Sequence, residues 1–212
     1  MTRAQNSNNG RLRSMEELPT GGSQPSLCVA YLILTGTSGW AIKQTSSSSS
    51  YVTLGAFSFL LGHSLVGFLH TTHPDPGNIL KQILKQTTLL AEVAPLALLN
   101  AEFYLLTGFA NEYAYAHLVT ALLPLAAQVL IEEHTQSVVD LAILGNLGSM
   151  VYMQVVKETG VWTGGLIALT ALNHFVFKQL SYRYEVPRAE IVTIGLSFFT
   201  VFALNCLKDL KA

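Results

Sequence analysis

The chain is short of charge. Only 12% of its 212 residues are Asp, Glu, Lys or Arg, and the net charge is −1. An ordinary soluble domain carries about 25% charged residues. A near-neutral chain with so few cations offers no basic surface, so no nucleic-acid partner is expected. The chain is also short of cysteine. Cys28 and Cys206 are the only two and lie near opposite ends. Neither stands at ligand spacing from another thiol, which excludes a disulfide framework and a zinc motif; both read as small buried apolar groups. The dinucleotide-binding glycine pattern, the P-loop, the zincin helix, the nucleophile elbow and the CxxC pair are all missing. So is any Asn-x-Ser/Thr acceptor, which leaves glycosylation silent on sidedness.

What is present is apolar. Half of the residues are hydrophobic and the mean hydropathy is +0.40. Long apolar runs separated by polar breaks predict transmembrane helices. Residues 1–25 are rich in Ser, Asn, Gly and Pro and predict a disordered polar tail. Arg3, Arg11 and Arg13 hint at a mitochondrial address, but Glu16, Glu17 and the lack of an amphipathic pattern count against it. The bundle is expected over 26–208. Its first span is Leu27–Ile42, short and softened by Thr35 to Gly39. A serine-rich linker, Ser46–Ser50, follows. The second span is Tyr51–His70, where Gly55, Ser58 and Gly62 form a stripe of small residues suited to close helix packing. His73, Pro74, Asp75, Pro76 and Gly77 then make a turn.

The third run is the most informative. It opens polar at Asn78 and becomes apolar from Thr87 to Thr107, long enough to cross a bilayer. It contains Glu92, Pro95, Asn100 and Glu102. A carboxylate in hydrocarbon costs roughly 2.5–3.5 kcal/mol on insertion scales, so intramembrane acids default to function. Pro95 cannot donate to the Ala91 carbonyl, which places a kink and a spare acceptor beside Glu92. A short break at Phe109–Glu112 predicts an antiparallel hairpin with the fourth span, Tyr113–Ile131, which carries His117 and Pro124. The fifth span, Val138–Val156, carries Asp140 and Asn146. The sixth, Val161–Phe177, carries Asn173 and His174, and Gly164-Gly165 reads as a helix-packing pair. A basic loop with Lys178, Arg183 and Arg188 precedes the seventh, Ala189–Leu207. The predicted fold is therefore an all-α polytopic membrane bundle of seven helices, with six as the alternative if the first span is lost.

Seven spans place eight Lys and Arg on the N-terminal side and four on the other. Positive charge favours the cytosol, so the N-terminus is expected there and the C-terminus outside or lumenal. With neither a mitochondrial nor a secretory address, the endomembrane system is the expected location. The buried polar groups then fall into two layers, with His63, Glu92, Asp140 and His174 in the cytosolic half. Glu102 and His117 flank the 109–112 connection at matching depth, and an ion pair between them is expected.

Three readings follow. The first is a transporter, an ion- or proton-coupled permease whose polar path runs through Glu92, Glu102, His63, His117, Asp140 and His174. The second is a membrane scaffold or assembly factor, with the same groups serving helix packing and contact with a membrane-protein partner or a second copy. The third is a metal-dependent intramembrane enzyme. His70 and His73 stand at i, i+3, and His134 lies on the same side. Haem would need His on facing helices at one depth, and His63 and His174 match poorly. No sequence motif names a cofactor.

Overall fold

The computed structural model describes residues 25–45, 51–130, 135–184 and 187–211. The expected tail, Pro25 apart, the serine linker, and Glu132, Glu133 and His134 lie outside them. Every regular element among the described residues is helical. In chain order these are α1 (Pro25–Thr45), α2 (Tyr51–Thr72), α3 (Asn78–Leu106), α4 (Asn111–Thr120), α5 (Leu123–Leu130), α6 (Thr135–Lys157), α7 (Val161–Ala171), a single π-helical turn (Leu172–Val176), α8 (Phe177–Tyr184) and α9 (Arg188–Lys211).

Five of these helices, α1, α2, α3, α6 and α9, are long and apolar enough to cross a membrane. The count rises to six if α4 and α5, bent by 44° at their junction, form one span. A helical bundle with five or six helices long and apolar enough to span a membrane is thus observed, while seven separate spans are not established. Two local causes account for the difference. Pro124 lacks the N–H that would bond to the Thr120 carbonyl, and the fourth expected helix breaks just ahead of it. The sixth expected helix is interrupted by the π turn, and its α-helical parts are each too short to span.

Several boundaries also move. The first helix, expected short, runs 21 residues to Thr45. The expected basic loop is largely helical: positions 178 and 183 fall on α8, and Arg188 opens α9. The turn after α2 forms where Pro74, Pro76 and Gly77 predict it.

Side-chain contacts give the helix directions. Thr35 Oγ1 and Ser64 Oγ are 2.9 Å apart, and the Tyr31 ring covers Gly67, so α1 and α2 are antiparallel. Asn100 meets Asn146, Tyr104 meets Ser149 and Thr107 meets Met153, so α3 and α6 are parallel. Ser26 meets Glu190 and Lys208 lies over the Trp40 ring, so α1 and α9 are parallel. Gly160 lies against Asp209, Gly165 against Phe202, and Gly195 against Asn173. The stretch from Gly160 to Asn173 therefore runs antiparallel to α9.

The expected small-residue stripe on α2 is corrected by this packing. A Cβ added at Gly55 or Gly62 would meet nothing within 4 Å, whereas one at Gly67 would lie 2.2 Å from the Tyr31 ring. The close approach is one turn further along. The Gly164-Gly165 pair does pack, against Gln154 and Phe202.

The core is built around α3. In its most apolar stretch, 67% of the residues are buried inside the protein, against 33–56% for the other spanning helices. Phe57, Leu60, Ile143, Met150 and Leu204 from other helices join Phe103 of α3 in one cluster. Val129, Leu141 and Val155 project outward, as lipid-facing side chains would.

Candidate functional site

The site forms where α3, α6, the π turn and the start of α9 converge. Glu92 enters from α3, one turn before Pro95. Helix α3 continues through that proline, so the Ala91 carbonyl is left without its helical donor. Asp140 enters from the second turn of α6. Asn173 and His174 sit on the π turn, which adds a residue to the helical circuit and re-aims the side chains it carries, a device frequent at functional sites. Arg188 opens α9. A cation in a helix's first turn opposes the helix dipole and needs an anionic partner.

That partner is Glu92. Arg188 Nη2 donates to Glu92 Oε1 at 2.7 Å. The other carboxylate oxygen, Glu92 Oε2, lies 3.6 Å from His174 Nδ1, beyond ordinary hydrogen-bond length. His174 Nε2 is 2.7 Å from Asp140 Oδ1, which also accepts from Gln136 Nε2 at 2.9 Å. The result is a row, Asp140–His174–Glu92–Arg188, hydrogen-bonded at both ends and spaced at 3.6 Å between His174 and Glu92. Its ends reach the surface, with the Asp140 and Arg188 side chains 39% and 37% exposed. Its middle is enclosed, with His174 and Glu92 at 7% and 12%. An imidazole between two carboxylates can take a proton from one side and release it to the other.

A cavity of about 30 Å³ opens beside the row, room for about two water-sized groups. Polar groups line it at Glu92, Thr170, Asn173, His174 and Arg188; Pro95, Leu96, Leu169 and Phe199 supply apolar wall. Gly195 also lines it, and a Cβ there would lie 2.2 Å from Asn173 Oδ1, so only glycine leaves that amide its place.

A second polar cluster lies between α3, α4 and α6. His117 Nδ1 is 2.8 Å from Asn146 Oδ1, and its Nε2 is 2.8 Å from Ser149 Oγ. Asn100 Nδ2 donates to the Asn146 carbonyl at 2.8 Å and to Asn146 Oδ1 at 3.1 Å. Tyr104 stacks on the His117 ring and reaches Ser149 through its hydroxyl at 2.8 Å.

The expected pair of Glu102 with His117 is therefore not formed. Both ring nitrogens of His117 are engaged by α6, which leaves none for a carboxylate. Glu102 is buried with no hydrogen bond or ion pair among the described residues, and its oxygens keep some contact with the surface. The expected cytosolic layer divides as well. Glu92, Asp140 and His174 come together, but His63 faces α1 and α3, with Nδ1 3.0 Å from Thr87 Oγ1 and its ring edge-on to Tyr31.

Of the residues considered for metal, His70 is buried with no hydrogen bond at Nε2 among the described residues, and His73 Nδ1 accepts from the Asp75 amide at 3.2 Å. His134 lies outside the described residues. No group of three His, Cys, Asp or Glu able to hold a metal occurs among the described residues. Cys206 is buried and Cys28 half-buried, both as free thiols.

Arg188, Asn173, Ser149 and Tyr104 are the site residues that sequence reasoning passed over. For Arg188 a signal existed: an arginine directly after Pro187, at the unfavourable end of an apolar helix, calls for an acid elsewhere. A family model described as a domain of unknown function, DUF4791, matches residues 49–207, and the chain belongs to that family. No curated protein and no solved structure matches the chain.

Proposed function

We propose that this chain is a small proton-coupled permease of the endomembrane system, with Asp140, His174, Glu92 and Arg188 as its proton path. The carrying observation is the row itself: two surface-reaching ends, an enclosed imidazole–carboxylate centre, and a cavity against that centre. Intramembrane acids and histidines in pumps and transporters are arranged in such chains. A helix with a proline in its interior and a π turn flank the cavity, and irregular backbone lines binding sites in many transporters.

The same reading takes seven spans. The bent α4–α5 pair makes one, and the continuous segment 161–184 makes another. Alternating directions then agree with every helix pair described above, odd-numbered spans running one way and even-numbered spans the other. The site falls in the half of the membrane that holds the Lys and Arg excess, with the N-terminus cytosolic.

Proton flux into proteoliposomes, followed with an entrapped pH dye, tests the proposal. His174→Gln and Glu92→Gln should each abolish flux while the protein elutes as a folded species. Unchanged flux in both would end the permease reading.

A scaffold or assembly role is the second reading. The Asn100–Asn146–His117–Ser149 cluster favours it, since polar groups hydrogen-bonded across three helices fasten them. Native mass spectrometry in mild detergent separates the two. A stoichiometric membrane-protein partner supports a scaffold; a bare monomer or homo-oligomer supports an autonomous permease.

A further inference from the structure

The cavity beside the row has an unusual balance of hydrogen-bonding groups. Glu92 Oε2 and Asn173 Oδ1 are buried acceptors that make no hydrogen bond among the described residues, with His174 Nδ1 3.6 Å from Glu92 Oε2. Thr170 Oγ1 gives its hydrogen to the Leu166 carbonyl at 2.8 Å and so presents only lone pairs to the space it lines. Pro95 leaves the carbonyl of Ala91, another lining residue, without its helical donor. Unpartnered buried acceptors each cost roughly 1–3 kcal/mol unless something donates to them. The missing partner is therefore a donor.

The rest of the wall selects among donors. Leu96, Leu169, Val192 and Leu196 are apolar, and Phe199 adds an aromatic ring to that wall. A bare metal ion would find too few oxygens, in keeping with the lack of any three-ligand group among the described residues. A single water meets the acceptors but leaves the apolar wall unfilled. An N–H-bearing cation of two heavy atoms matches the about 30 Å³ available and satisfies both sets of neighbours.

We propose that this cavity binds a small primary ammonium, ammonium itself or an alkylammonium of methylammonium size. Glu92 Oε2 and Asn173 Oδ1 accept its N–H groups, and the Leu96–Phe199 wall receives its alkyl end. Arg188, which lines the same cavity, holds the other carboxylate oxygen, Oε1. This rests on the permease reading only in taking the bound cation as what is carried.

The test is thermal unfolding of the full purified chain in mild detergent. Ammonium, methylammonium, sodium and tetramethylammonium chlorides are titrated at one ionic strength. A ligand that binds the folded state raises Tm with concentration. Methylammonium and ammonium should raise Tm. Tetramethylammonium, which has no N–H and is too large, should not, and neither should sodium. Asn173→Ala and Glu92→Gln should each weaken methylammonium binding by about tenfold or more, equivalent to at least ~1.4 kcal/mol. Gly195→Ala, which displaces Asn173 without removing an acceptor, should weaken it too. His63→Gln, away from the cavity, should leave it unchanged.

No shift with either ammonium salt overturns the inference, and so does an equal shift with sodium. Wild-type affinity in both Asn173→Ala and Glu92→Gln also overturns it. Uptake of radiolabelled methylammonium into vesicles keeps the two proposals apart. Binding without uptake or proton flux supports the site and removes the permease; proton flux without ammonium binding removes this inference alone.

Discussion

Arg188 and Glu92 are 96 residues apart in sequence and 2.7 Å apart in space. Their bond fastens the start of α9 to the middle of α3, one turn before Pro95. Removing one charge leaves the other enclosed without compensation. Arg188→Ala should destabilise the fold by about 1.5–3 kcal/mol, the range for hydrogen bonds to charged groups. The loss stays below that of a fully buried pair, because Arg188 is 37% exposed. The double variant Glu92→Gln with Arg188→Gln should recover part of it. Unfolding by graded addition of a denaturing detergent measures this as a double-mutant cycle, and strictly additive losses would mean that the pair is not coupled.

Glu102 and His117 should behave differently from one another, since they are not partners. Glu102→Gln should leave abundance and unfolding close to wild type. His117→Ala should lose about 0.6–1.7 kcal/mol, the range for interhelical polar contacts in a membrane, because Asn146 and Ser149 each lose a contact. Equal losses in the two variants would restore the direct pair.

Gly67→Ala should be costly. Its Cβ would lie 2.2 Å from a buried Tyr31 ring, and overpacking of this kind costs about 1–3 kcal/mol. Gly62→Ala is its control on the same helix. With nothing within 4 Å of its Cβ, it should be neutral or stabilise by up to about 1 kcal/mol through helix propensity. The same detergent titration reads both.

Asn146 is the hub of the second cluster, bonded to Asn100, His117, Thr120 and the Ala142 carbonyl. Asn146→Leu should destabilise by roughly 1–3 kcal/mol, as buried polar groups lose their partners. Combining it with Asn100→Leu should cost less than the sum of the two single losses, because the two residues share their bonds. A sum that is fully additive would show the Asn100–Asn146 contact to be idle.

Much of the architecture was legible from patterning. Apolar runs of membrane length stand out in one dimension, as do the proline turn at 73–77 and the acids inside α3. The limits of that legibility are physical. A proline announces a break but not its angle, so Tyr113–Ile131 reads as one helix until Pro124 bends it. Nothing in Leu172–Val176 announces a π turn, because one extra residue in a helical circuit is set by what the turn must pack against. A stripe such as Gly55, Ser58 and Gly62 shows that a face is small, not that another helix lies on it.

The sequence by itself determined that this chain is an apolar helical bundle, that α3 carries acids where acids are expensive, and that Pro95 frees a carbonyl beside Glu92. Composition and periodicity set those features, and both are local. Only the tertiary structure decided the pairing. Asp140, His174, Glu92 and Arg188 come from four separate segments, and depth along each helix was readable while rotation about its axis was not. A residue's face depends on which neighbour the whole helix packs against. That choice gave His174 to Asp140 and Glu92, gave His117 to Asn146, and left Glu102 without a partner among the described residues.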